Sequence, residues 1–152
     1  MAVPRVEKAY EKHAWIVLFA IGVLRFLVAT VVLLFGVELN PTVLERTIGM
    51  TLSELRASNP SFFGLYTYIF RFSVLFELGF VFLIITISAT AYKRGEKWAW
   101  YALWSVPAFF IGSTAIVLSI GQDPSEFIPL MLFIILSLLG LLLPYRKFFP
   151  GK

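Results

Sequence analysis

Apolar residues gather into four long stretches, separated by short polar segments at 93–97 and 121–126 and by a longer, more mixed one at 38–61. A helix that crosses about 30 Å of hydrocarbon needs roughly 20 mainly apolar residues. The stretches 14–37, 62–92, 98–120 and 127–145 meet that requirement. The first is interrupted only by Arg25, the second carries Arg71 and Glu77, and the last two hold no charge. The second is longer than a bilayer requires, so its first turns are expected in the outer interface or in a tilted helix. The first has the basic flank of a signal peptide, but its apolar run is too long and no A-x-A site comes after it, so it is read as retained.

The connections predict how the helices succeed one another. Lys93-Arg-Gly-Glu-Lys97 is a charged turn centred on Gly95, which makes spans two and three antiparallel neighbours. Gly121 ends span three, and Asp123, Pro124 and Glu126 form a helix-start pattern for span four. Pro144 and Pro150 close it. Between spans one and two, Asn40-Pro41 reads as a cap and helix start. After it, Leu44, Ile48, Thr51, Leu52 and Leu55 recur at helical spacing opposite Glu45, Arg46, Glu54 and Arg56. This pattern predicts an amphipathic helix over 41–57, lying on the membrane surface or across the bundle's outer mouth as a lid. The fold class is therefore all-α: one transmembrane domain, a four-helix up-down bundle with an external amphipathic helix between helices 1 and 2.

Composition narrows the functional classes. Of the 152 residues 59% are hydrophobic and only 14% charged, against about 25% charged in a soluble domain. The net charge of +4 is read as basic loops facing the cytoplasm rather than as a nucleic-acid surface. With no cysteine, disulfide, thiol-redox and Cys-ligated metal chemistry are excluded. With His13 as the sole histidine, so is a bis-histidine haem within one chain. No P-loop, GxSxG or HExxH pattern occurs.

The basic residues set the orientation. Arg5, Lys8, Lys12, Lys93, Arg94, Lys97, Arg146, Lys147 and Lys152 fall in the N-terminal segment, the second loop and the C-terminal tail. The other two loops hold only Arg46 and Arg56. Both termini are expected in the cytoplasm. Trp15, Tyr92, Trp98, Trp100, Tyr101 and Tyr145 then form a cytoplasmic interfacial belt, with His13 as a headgroup contact.

Arg25, Arg71 and Glu77 are the candidate site. A charge at the bilayer centre costs about 2.5–3.5 kcal/mol on insertion scales, so a partner is expected. At about 1.5 Å of rise per residue, Arg25 lies roughly 16 Å from the cytoplasmic edge and Glu77 roughly 22 Å, a gap that an arginine spans. Arg71 lies higher, near the outer headgroups. Either Arg25–Glu77 is a pair that registers helices one and two, or it lines a polar cavity where Glu77 holds a cation, a proton or a ligand's polar head. Pro107 should kink span three and release a carbonyl near Leu103. Ala108 with Gly112, and Ser137 with Gly140, mark close helix packing. Ser105, Ser113 and Thr114 are expected to bond back to the backbone.

The segment KRGEKWAWYALWSVP, Lys93 to Pro107, with the closing LLLPYRKFFP, Leu141 to Pro150, resembles the small four-helix membrane proteins grouped as DoxX-like. The likeness covers about a quarter of the chain and implies a four-helix bundle, with some relatives serving as accessories of redox systems. It transfers no cofactor-binding residue. A more distant similarity is to the emopamil-binding fold, whose isomerases need several membrane-embedded acids where this chain offers only Glu77. Three functions remain. The first is a structural or accessory subunit, packed against a membrane-protein partner or a second copy. The second is a carrier of a lipid-like or quinone-like ligand held by Arg25, Glu77 and Arg71. The third is an ion or proton pathway in an oligomer. Enzymatic activity is not favoured, and the bilayer itself is the one certain partner of such a surface.

Overall fold

Every element in the computed structural model, which describes residues 9–36, 45, 48–119 and 127–149, is helical. In chain order these are α1 (Ala9–His13), α2 (Trp15–Phe35), α3 (Leu52–Ser58), α4 (Pro60–Ile87) continued by a π-helical turn (Ser88–Tyr92), α5 (Lys97–Ala102), α6 (Ser105–Ser119), α7 (Phe127–Leu142) and α8 (Tyr145–Phe148). Among the described residues, four helices are long and apolar enough to cross a membrane: Tyr10–Phe35, Pro60–Tyr92, Lys97–Ser119 and Phe127–Phe148. Between 22% and 28% of each span's most apolar window is buried inside the protein. Most of the apolar surface therefore faces outward, the reverse of a water-soluble bundle. The start expected for span four at Asp123–Glu126, the cap at Asn40-Pro41 and the stop at Pro150 lie outside the described residues.

By internal contacts the chain divides into two compact units, Met1–Val23 with Leu83–Lys152, and Leu24–Phe82. In the first, α6 packs along α7, with the rings of Phe110 and Phe133 stacked at 5.0 Å. Small residues allow close approach. A Cβ on Gly22 would lie 2.7 Å from Ile85 Cγ1, and one on Gly140 would lie 3.1 Å from Leu18 Cγ. Gly140 thus packs as expected, whereas a Cβ on Gly112 would meet nothing from the rest of the described chain within 4 Å. The Ala108–Gly112 pair does not mark a close crossing here.

Two prolines break their helices, and each broken bond is replaced. Pro107 has no N–H to offer Leu103, so that carbonyl accepts from Val106 N at 3.0 Å in a tight turn between α5 and α6. This is the carbonyl expected to be released. Pro144 likewise leaves Gly140 O without its donor four residues on. The Tyr92 hydroxyl donates to it at 2.6 Å. The next carbonyl, Leu141 O, accepts from Trp100 Nε1 at 2.9 Å. Tyr92 and Trp100 are consequently core residues, 2% and 9% exposed, and not members of the interfacial belt. Trp98 and Tyr101 do stay exposed. The π turn that carries Tyr92, closed by Lys93 N to Ser88 O at 3.2 Å, adds one residue to a turn and so re-aims the charged turn beyond it.

In the second unit the helix expected over 41–57 is not continuous. Gly49 adopts φ +71, and Thr51 is extended at φ −73, ψ 159. Thr51, placed on the apolar stripe from its spacing, is instead the N-cap of α3. Its Oγ1 accepts from Glu54 N at 3.2 Å, while Glu54 Oε2 accepts from Thr51 N at 2.7 Å. Glu45 Oε1 accepts from Leu52 N at 3.1 Å, so it caps the helix too. Asn59 then serves two helices. Its N–H closes α3 on Leu55 O at 2.9 Å, and its Oδ1 accepts from Phe62 N at 3.1 Å to start α4. Pro60 occupies the first position of α4, where a missing N–H does no harm.

Candidate functional site

Arg25 and Glu77 meet. The guanidinium Nη2 of Arg25, in the middle of α2, donates to Glu77 Oε1 on α4 in a close ion pair. The helices place both inward by spacing alone. Arg25 stands one turn before buried Ala29, and Glu77 stands between buried Val74 and Val81. The side chains are 25% and 19% exposed, so each charge is mostly withdrawn from the surroundings and is matched by the other. An opposed pair in this setting adds little net stability, but either charge alone is expensive. The pair links α2 to α4 with no net charge.

Arg71 does not join them. It is an exposed residue whose Nη2 lies 3.8 Å from where a Cβ on Gly36 would be. Gly36, at φ +73, comes directly after the last residue of α2, so the guanidinium lies at that helix's carbonyl end. A cation there complements the helix dipole. The three residues grouped from their charge thus fall into one ion pair and one helix-terminal cation.

Most hydroxyls of the spans bond to the chain itself, while the buried Ser88 Oγ has no partner among the described residues. Thr30 donates to Phe26 O, Thr67 to Phe63 O, Ser73 to Ile69 O, Thr90 to Thr86 O, Ser113 to Phe109 O and Thr114 to Phe110 O, at 2.6 to 2.9 Å. Each links a side chain to the carbonyl four residues before it, the usual resort of a hydroxyl in an apolar helix. Ser105 and Ser137 reach three residues back, to Ala102 O and Ile134 O. Among the described residues no group of three His, Cys, Asp or Glu side chains could hold a metal ion.

The polar groups missed by sequence reasoning are Tyr92 and Trp100, which looked like membrane-surface aromatics. The readable signal was Pro144, which condemns the carbonyl of Gly140 to seek a donor elsewhere. Likewise Thr51-Leu-Ser-Glu54 spells a capping box inside what looked like continuous helix. In comparisons with known proteins, no family model matches the chain, and no curated protein or solved structure shows significant similarity to it.

Proposed function

We propose that the chain is a four-span membrane protein whose role is structural, as an accessory subunit that packs against a larger membrane assembly. The observation that carries this reading is the disposal of polarity in the spans. Most of their hydroxyls are bonded to backbone carbonyls, and Arg25 and Glu77 are bonded to each other. Groups committed in this way hold helices rather than handle a substrate or a moving ion.

What remains outward is apolar and shaped by rings. Along α4, Leu65, Tyr68, Ile69, Phe72, Leu75 and Phe76 are exposed at helical spacing. Tyr68 stacks on Phe72 at 5.9 Å, and Phe72 meets Phe76 edge-on at 4.8 Å. Lipid covers such a face in a lone chain, and a partner helix covers it in an assembly. The up-down order, the DoxX-like kinship, the cytoplasmic termini and a surface position for α3 belong to the same reading. The sign of the loop charges supports the cytoplasmic termini, and the packing of α5 back on Ser88–Tyr92 supports the up-down order.

A photo-crosslinking residue at Phe72, combined with native mass spectrometry of gently extracted protein, tests the role. A discrete protein adduct is expected. Adducts to lipid alone, with a solitary chain in the spectrometer, would remove the accessory reading. Topology has its own check, because the chain lacks cysteine and Arg94→Cys gives a single label site. Labelling by an impermeant maleimide from outside intact cells would reverse the orientation.

A further inference from the structure

Three span ends converge in the first unit: the start of Tyr10–Phe35 and the ends of Pro60–Tyr92 and Phe127–Phe148. Between them lies a cleft of about 420 Å³ lined by Lys12, His13, Trp15, Lys93 and Lys147. None of these lining residues is acidic. Two of the ammonium groups have defined seats. Lys93 Nζ sits over the Trp15 ring, 4.6 Å from its centroid. Lys147 Nζ donates to the carbonyl of Lys93 at 3.1 Å. Its aliphatic stem crosses Gly95, where a Cβ would come within 3.2 Å of Lys147 Cε. Gly95, at φ +81, therefore serves the turn and also makes room for the lysine.

The neighbouring charges behave differently. Arg94 Nε pairs with Glu96 Oε1 at 2.9 Å, and Glu96 also accepts from Trp98 Nε1 at 2.6 Å. In one charged turn, then, one cation is matched by a carboxylate while Lys93 is turned onto an aromatic face. The Trp15 ring orients the Lys93 cation but leaves its charge in place. With Lys12 on the same concavity, that charge attracts an anion.

We propose that this cleft binds a phosphate group, the chemistry shared by anionic lipid headgroups and free phosphate. The lysine stems lie at the ends of the spans, where an ammonium group snorkels to headgroup depth. Trp15, whose ring also meets Phe19 edge-on at 5.8 Å, supplies the wall. The proposal rests on the chain lying in a bilayer but not on its having a protein partner, so it is tested on the isolated chain.

Flotation with liposomes comes first; a chain that does not float overturns both the membrane reading and this site. Native mass spectrometry then compares retained phosphatidylglycerol with phosphatidylcholine. Parent protein should retain the anionic lipid preferentially. Each of Lys12→Gln and Lys93→Gln should lower that retention about fivefold, the equivalent of one surface lysine. Arg94→Gln removes the same charge outside the cleft and should leave retention nearly unchanged. Equal losses in all three variants would show a diffuse basic surface and overturn the site. In a parallel arm, inorganic phosphate is titrated against protein in neutral detergent, read by melting temperature. A rise abolished by Lys93→Gln, with no lipid preference, would assign the cleft to soluble phosphate. Silence in both arms would overturn it.

Discussion

The segment Leu24–Phe82 joins its two span helices through opposite charges, whereas the unit formed by Met1–Val23 and Leu83–Lys152 joins its helices through neutral donors and through size. In the former, Arg25 bonds Glu77, Arg56 lies 4.9 Å from the Phe63 ring centroid, and carboxylates of Glu45 and Glu54 cap α3. In the latter, Tyr92 and Trp100 satisfy two carbonyls beside a proline break, and Gly22 and Gly140 let helices touch. Hydrocarbon explains the division of labour. A buried carbonyl needs only one donor, but a buried charge needs its opposite, so the charged unit should fail by loss of one partner and the neutral unit by a change of shape.

Glu77→Ala should give the largest effect. It strands the Arg25 cation, at about 2.5–3.5 kcal/mol for a lone charge deep in a bilayer. Unfolding of the reconstituted protein measures it, and Arg25→Ala/Glu77→Ala should recover part of the loss. Strict additivity in that cycle would mean that the pair is not directly coupled. At the glycine crossing any rescue should come from restoring volume rather than from removing a charge.

At that crossing the relevant variable is volume. Gly22→Ala sets a methyl 2.7 Å from Ile85 Cγ1 and should cost about 1–3 kcal/mol, as overpacking does. Gly112→Ala, whose methyl would meet nothing from the rest of the described chain within 4 Å, should be neutral or slightly stabilising. Equal penalties at the two glycines, measured in the same unfolding assay, would deny that the crossing is tight. Tyr92→Phe should cost less, about 0.6–1.7 kcal/mol for one intramembrane hydrogen bond. Pro144→Ala restores an N–H for Gly140 O, so in that background Tyr92→Phe should lose most of its effect. A Tyr92→Phe penalty that is unchanged beside Ala at 144 would uncouple the hydroxyl from the proline break.

Arg25 and Glu77 show how much of this was legible. Their depths came from counting residues at a fixed rise, and the cost of a lone charge in lipid demanded the partner. Four spans were legible for the same reason, since oily length is a property of the chain alone. Tyr92 was not. An aromatic next to a basic turn satisfies the rule for membrane interfaces, and only the distant Pro144 makes its hydroxyl necessary in the core. Arg71 was legible as lying above the pair, but its seat at the carbonyl end of α2, beside Gly36, was not, because position along one helix says nothing of where another ends. The α3 segment misled through spacing. Thr51 fits an apolar stripe, yet Gly49 before it and Glu54 after it decide that it caps a helix.

That cap offers the gentlest test of the contrast between the units. The Thr51 backbone N–H, and after it the Thr51 hydroxyl, donate to the Glu54 carboxylate and hold its pKa below the ordinary 4.5. A carboxylate so depressed stabilises the folded cap above its ordinary pKa, and the benefit fades as pH falls through the lower folded value. Between neutrality and about pH 5 the Thr51 amide should keep its hydrogen-exchange protection; in stronger acid it should lose it. Glu54→Gln should flatten the acid response at Thr51. Amides packed around Tyr92 and Trp100, which lean on neutral donors, should not respond over the same range. An acid response shared by both sets would mean that charge holds the two units alike.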